Sequence, residues 1–486
     1  MSPASLSSSG IFDTVVKNGY CVGCGMCAAA SPKVEMKWTE LKTFEPEPVA
    51  ALAKEEDEAL AKVCPFGATS RNEDVIATDL FPAAPVHPQL GRYVETYAGY
   101  VAAEDYRERG SSGGMGSWLA VQFLELGLVD GVIHVGQTKA GADGSPLFGF
   151  RISRTSAEIR ENSKSRYYPV NLSEVLDEVR KAGEGERFAF VGIPCFVKAV
   201  RLACMEEPAL KQKIKFCLGL VCGHMKSGGF AELLAWQIGI KPAELKYIDF
   251  RVKLPDSSAN AYGFRAVGEG PQGEYDKISS MNAVKGGDWG AGYFKLKACE
   301  FCDDVTAETA DIVVGDAWLP AYAKDYQGTN LLIVRNESLV KVLTEAQAKG
   351  SIHLEKISAK QAVDSQKSGF RHRREGLGYR LALSQGKGEW HPPKRTKADA
   401  SGVCARRKLI YRLRYEMSMK SHEVFLQAKE AGDIGVFFRG IEPVLSEYVK
   451  ASSPSRFRVF ASKLKAQLMK AKKAVARPRV TAGAAP

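Results

Sequence analysis

At 486 residues the chain is too long for one ordinary hydrophobic core and fits two or three domains. Its 45% hydrophobic and 25% charged content is that of a soluble globular protein; it has no apolar run of about 18 residues to span a membrane, and the Ser-rich start does not read as a secretory signal. The net charge of +11 is concentrated in residues 456–479, which hold nine Lys or Arg and no acid, so the charge says nothing about a substrate of the main body.

A cytoplasmic, reducing setting is therefore expected, where the eleven cysteines are better explained as metal ligands than as disulfides. The first module, residues 11–80, carries Cys21, Cys24 and Cys27 in a C-x2-C-x2-C run. In bacterial ferredoxins such a run continues x3-C-P, and that fourth Cys serves a neighbouring cluster. Here Ser31 precedes Pro32, and Cys64-Pro65 supplies the missing ligand from further along. The arithmetic is that of a one-cluster, ferredoxin-like [4Fe-4S] module. Soft thiolates hold iron while its charge cycles, and Gly23 and Gly25 free backbone N–H groups to turn toward sulfur. A zinc ribbon would pair two C-x2-C knuckles instead.

Pro82, Pro85 and Pro88 then predict an extended linker. From 90 to 386, short apolar runs at 130–135, 188–193, 214–221, 311–314 and 331–334 predict buried strands. Helical spacing at 117–128, 172–181 and 229–238 alternates with them, so an α/β domain with a largely parallel sheet is expected. Ser111, Ser112, Gly113, Gly114 and Met115 precede one of these helices, where exposed N–H groups and the helix dipole suit an anion such as a flavin phosphate. An ordinary helix cap has the same composition. Lys164, Ser165 and Arg166, followed by Tyr167 and Tyr168, offer cations and rings for phosphate and stacking, or a solvated basic turn.

Four later cysteines are candidates for a second cluster: Cys195 and Cys222 after predicted strands, and the C-x2-C pair Cys299 and Cys302. Cys217 is a rival ligand, buried structural thiols are the plain alternative, and Cys204 and Cys404 read as ordinary thiols. His224, beside Cys222, is a candidate proton donor, and Asp316, at a strand end, a candidate for orienting a cofactor or capping a turn. The Gly-rich segment 249–274 reads as a long loop over the site. Residues 387–486 read as a basic helical extension, in which Phe457, Phe460, Leu464 and Leu468 recur at helical spacing. Such a helix would meet an acidic protein or, peripherally, a membrane; no nucleic acid is expected.

Together these segments resemble the coenzyme F420 hydrogenase/dehydrogenase beta-subunit family. The resemblance rests on the Cys21/24/27/64 set, Ser111-Ser112-Gly113-Gly114, Lys164-Ser165-Arg166-Tyr167, Gly192-Ile193-Pro194-Cys195, and Cys299-x2-Cys302 leading to Asp311-Ile312-Val313-Val314-Gly315-Asp316. It implies FAD near the 112–115 loop and the 164–166 turn, and favours the second [4Fe-4S] cluster. It leaves three readings. One is a reductase that takes electrons from ferredoxin or a deazaflavin to reduce a small organic substrate. The second is a subunit that oxidises or reduces coenzyme F420 for a larger complex. The third is a non-enzymatic iron–sulfur relay.

Overall fold

The computed structural model describes residues 10–138, 144–270 and 273–453. The expected basic amphipathic helix of the tail, with Phe457, Phe460, Leu464 and Leu468, lies outside the described residues.

The N-terminal part pairs β1 (Val34–Trp38) with β2 (Phe44–Pro48) beside the helix Lys54–Val63. The proline segment is not an extended linker. It closes a tight hairpin of β3 (Val86–His87) and β4 (Gly91–Arg92), and Phe81 and Ala84 are buried together there.

Eight further strands form the central sheet: β5 (Glu95–Val101), β6 (Gly131–Gln137), β7 (Phe148–Ser153), β8 (Phe188–Gly192), β9 (Ile214–Leu220), β13 (Ile312–Asp316), β14 (Asn330–Val334) and β15 (Ile352–Lys356). Their order is β15-β5-β14-β13-β9-β8-β6-β7. The expected largely parallel sheet is in fact mixed. Only β13, β9, β8 and β6 are joined by parallel pairing, while β7 on one side and β14, β5 and β15 on the other are joined by antiparallel pairing. The reason is local: among the described residues, no crossover helix of the kind a parallel partner requires separates β6 from β7 or β13 from β14.

Both faces of the sheet are covered, which explains the continuous apolar runs. Successive side chains point to opposite faces. Ile133, Phe190, Cys217 and Val313 therefore join a core shared with the N-terminal part and the C-terminal helices. Val132, Ala189, Leu218 and Ile312 face the helices Met115–Glu125 and Ser338–Ala348. In the latter helix Leu339, Leu343 and Ala346 are buried at one-turn spacing.

Segment 249–274 is not a loop. It contributes to a three-stranded antiparallel meander of β10 (Leu245–Val252), β11 (Gly263–Gly270) and β12 (Gly273–Ser280). Phe250, Phe264 and Ala266 are fully buried beneath it.

The helices Ala405–Ala431 and Ile434–Ser452 form an antiparallel hairpin. Gly432 turns the chain at φ +62°, and Asp433 caps the second helix through the Gly435 N–H at 2.7 Å. Phe437 of this hairpin stacks on Phe294, which carries the C-terminal helices into the main core. Among the described residues, no helix is long and apolar enough to cross a membrane.

Candidate functional site

The four parallel strands end on one edge of the sheet. Gln137 closes β6, Cys195 follows β8, Cys222 follows β9 and Asp316 closes β13. The turn after β5 leads to the 111–115 loop, and β14 begins at the same edge with Asn330, opposite Asp316. In open α/β sheets this edge is where ligands bind.

Cys21, Cys24, Cys27 and Cys64 line one small pocket with Tyr20 and Phe66. Gly23 (φ +69°) and Gly25 (φ +75°) make the turns of the cysteine loop. A Cβ on Gly23 would stand 2.6 Å from the Phe44 carbonyl oxygen, so the glycine is required for packing as well as for its dihedral. The Gly23 N–H points at Cys21 Sγ from 3.3 Å, and the Met26, Ala28 and Phe66 amides face Cys24, Cys27 and Cys64. Burial pushes the thiols up, Cys24 to about 12 and Cys64 to about 11, and Cys64 raises Cys24 further. Such a set keeps its protons until a cation replaces them.

The structure also brings Cys195, Cys222, Cys299 and Cys302 together. Burial raises Cys195 well above an ordinary thiol, and Cys222, Cys302 and Cys299 add to that in turn. Cys24 contributes as well, so the two cysteine groups adjoin. The Met225 N–H reaches Cys299 Sγ at 3.2 Å. Cys217 is not part of this group. It lies within β9, faces the core, and has Arg201 and Asp311 as its charged neighbours. Among the described residues, no three His, Cys, Asp or Glu side chains close on the position of a single metal ion.

The 111–115 loop is built differently from an open phosphate cradle. The Met115 N–H is taken by Asn330 Oδ1 at 3.0 Å, and Asn330 Nδ2 donates to the Gly315 carbonyl at 3.0 Å. A Cβ on Gly113 would lie 2.8 Å from Asn330 Oδ1. Gly114, at φ +82°, would bring one within 2.6 Å of the Tyr106 carbonyl oxygen. Replacing Gly114 with alanine is therefore expected to cost about 1–3 kcal/mol, read as a lower denaturant midpoint with an unchanged slope. Ser111 Oγ accepts the Ser165 N–H at 2.8 Å, and Lys253 Nζ donates to the Ser112 carbonyl at 2.9 Å. Burial, then Lys164, Arg107 and Arg251, lower Lys253 to about 7.

Lys164 pairs with Asp249 at 3.3 Å and donates to the Arg251 carbonyl at 3.1 Å. Arg166 lines an open pocket of about 440 Å³ together with Arg151, Arg265, Asn162 and Tyr247. Its Nε and Nη1 are buried without a partner, and its guanidinium lies 4.9 Å from the Phe148 ring centre. Asp316 receives a two-pronged contact from Arg251, at 3.0 and 3.2 Å, and Arg251 also donates to the Ser111 carbonyl at 3.0 Å. His224 packs on Trp289 with ring centres 4.6 Å apart. Its Nε2 is buried without a partner, and burial and then Lys226 push its pKa well below the usual imidazole value, so the ring is neutral.

Arg251, Arg151, Arg265 and Lys253 have no motif around them. The sequence offered no signal beyond their being basic, and the meander that presents three of them reads as a glycine-rich loop.

Residues 96–177 match the model described as coenzyme F420 hydrogenase/dehydrogenase, beta subunit N-term, and residues 185–360 match the corresponding C terminus. A coenzyme F420 hydrogenase subunit beta from Methanococcus voltae is 23% identical over 251 residues, covering 51% of this chain and 79% of that protein. One from Methanothermobacter thermautotrophicus is 21% identical over 308 residues, covering 59% of this chain and 98% of that protein. A chain of the F420-reducing [NiFe] hydrogenase complex from Methanosarcina barkeri superposes with a TM-score of 0.46 at 17% identity, covering 63% of this chain and 98% of that one. The first cysteine group and everything after residue 360 lie outside the matched segments, whereas Cys195, Cys222, Cys299, Cys302 and the 111–115 and 164–166 motifs lie inside them. On these matches, the chain belongs to the coenzyme F420 hydrogenase/dehydrogenase beta subunit family.

Proposed function

We propose that this chain is an iron–sulfur flavoprotein subunit that exchanges electrons with a deazaflavin carrier of the coenzyme F420 type. The observation that carries the reading is the convergence, on one sheet edge, of two four-cysteine groups and a pocket with three arginines. The names of the relatives favour this over a self-contained reductase of an organic substrate fed by ferredoxin.

The residues suit the groups that the family implies. Cys21, Cys24, Cys27 and Cys64 surround a shared space, as a four-iron cluster needs, with amides turned to the sulfurs. Cys195, Cys222, Cys299 and Cys302 would hold a second cluster beside it. Ser111, Ser112, Gly113, Gly114 and Met115, tied to the Lys164, Ser165 and Arg166 turn through the Ser165 N–H and Ser111 Oγ, would form one wall of the FAD site, and Arg166, whose Nε and Nη1 lack a partner, would bind its phosphates. Bound flavin would supply the chemistry that links two-electron transfer to single-electron steps. Asp316 fixes the Arg251 guanidinium against the loop, and His224 presents an unpartnered ring nitrogen close to Cys222.

Two experiments test the reading. Protein reduced anaerobically and freed of excess reductant should convert oxidised coenzyme F420 to its reduced form, followed by loss of the F420 absorbance. Oxidation by ferredoxin but not by F420 would favour the reductase instead. Replacing Arg166 with alanine should weaken FAD retention about tenfold or more, since a hydrogen bond to a charged group contributes about 1.5–3 kcal/mol. Equal flavin occupancy in dilute dialysed samples of both proteins would remove Arg166 from the site.

A further inference from the structure

Arg373 is 2% exposed and ends the helix Lys367–Arg373, beyond the segments that match the family. Its Nη1 lies 2.6 Å from Cys302 Sγ and also donates to the Asp304 carbonyl. Nη2 donates to the carbonyls of Cys222 and Gly223, each at 2.9 Å. One planar fork thus ties the loop after β9, which carries Cys222, to the C-x2-C turn of Cys299 and Cys302, two of the three segments that supply the second cysteine group. Among the described residues Arg373 makes no ion pair with a carboxylate, whereas the neighbouring buried guanidinium of Arg380 pairs with Glu300 at 3.1 Å. Leaving a buried cation without a counter-charge is costly. The anions placed to balance it are the thiolates of Cys302, Cys222 and Cys299 and, after them, the Asp304 carboxylate.

We infer that Arg373, which lies beyond the family-matched segments, is the positioning residue that sets the reduction potential of the cluster held by Cys195, Cys222, Cys299 and Cys302. The inference rests on the proposed second cluster. A fixed positive charge beside the sulfurs favours the reduced, more negative cluster and so raises its potential. It also offsets the charge that four thiolates bring into a buried site. The helix Lys367–Arg373 thereby acts on the redox centre itself.

The test compares full-length wild type, R373Q and R373K, purified anaerobically, by iron content and by redox titration followed by electron paramagnetic resonance. In R373Q one of two cluster signals should titrate at a more negative potential while the other stays in place. R373K, which keeps the charge but not the fork, should fall between wild type and R373Q. If R373Q loses one cluster while R373K keeps both, the requirement for the cation stands. Unmoved potentials in both variants, or equal loss of a cluster from both, would overturn the assignment. Wild type holding about four iron atoms instead of about eight would overturn the second cluster and the assignment with it. About eight iron atoms in wild type, with the potential unmoved in R373Q and R373K, would overturn the assignment alone.

Discussion

Replacing Cys64 with alanine is expected to remove one iron–sulfur cluster and leave the rest of the protein folded. Cys64 caps the helix Lys54–Val63, with its N–H bonded to the Leu60 carbonyl at 3.1 Å, so the backbone position does not depend on the side chain. The Phe66 and Gly67 amides face its sulfur. Ser31 occupies the place where a ferredoxin run carries its fourth cysteine, and its Oγ instead accepts the Lys33 N–H at 3.2 Å. The other thiols in this pocket are already counted as ligands. Iron should fall from about eight to about four atoms per chain, with one signal lost from the reduced spectrum. An unchanged spectrum would place the fourth ligand elsewhere.

The Asp311→Ala substitution should cost about 3–5 kcal/mol of stability, the range for breaking a buried ion pair from one side. Asp311 is 4% exposed. Its Oδ2 accepts from Arg201 Nη2 at 2.6 Å and from the Cys217 N–H at 2.7 Å, and its Oδ1 accepts from Asn336 Nδ2 at 3.0 Å. Alanine would strand the Arg201 guanidinium and leave Cys217's backbone donor unpaired inside the protein. Urea unfolding followed by far-UV circular dichroism reads the loss. A change below about 1 kcal/mol would show that Arg201 finds other partners.

The parts that could be read from the residues alone are those whose physics is local. The buried strands 188–193 and 331–334 stand out because both faces are covered, and the fold places them at Phe188–Gly192 and Asn330–Val334. The cysteine run is legible because four ligands to one cluster impose spacing. Strand period also explains why Cys222 joins the second group and Cys217 does not: the first lies beyond the end of β9, the second points from its middle into the core. The meander was hidden because Gly263, Gly268, Gly270 and Gly273 look like loop residues, while its apolar side chains, such as Phe264 and Ala266, are few. Partnerships such as Arg251 with Asp316 and Arg373 with Cys302 join residues 65 and 71 positions apart. Only the folded chain brings such pairs together, so no spacing rule could announce them.

The central claim is that one chain houses two clusters and a flavin at a single sheet edge. Iron, acid-labile sulfide and flavin measured together on anaerobically purified full-length protein test it most directly. The account predicts about eight iron, about eight sulfide and about one FAD per chain. A colourless protein with neither iron nor flavin after anaerobic purification and reconstitution would contradict it.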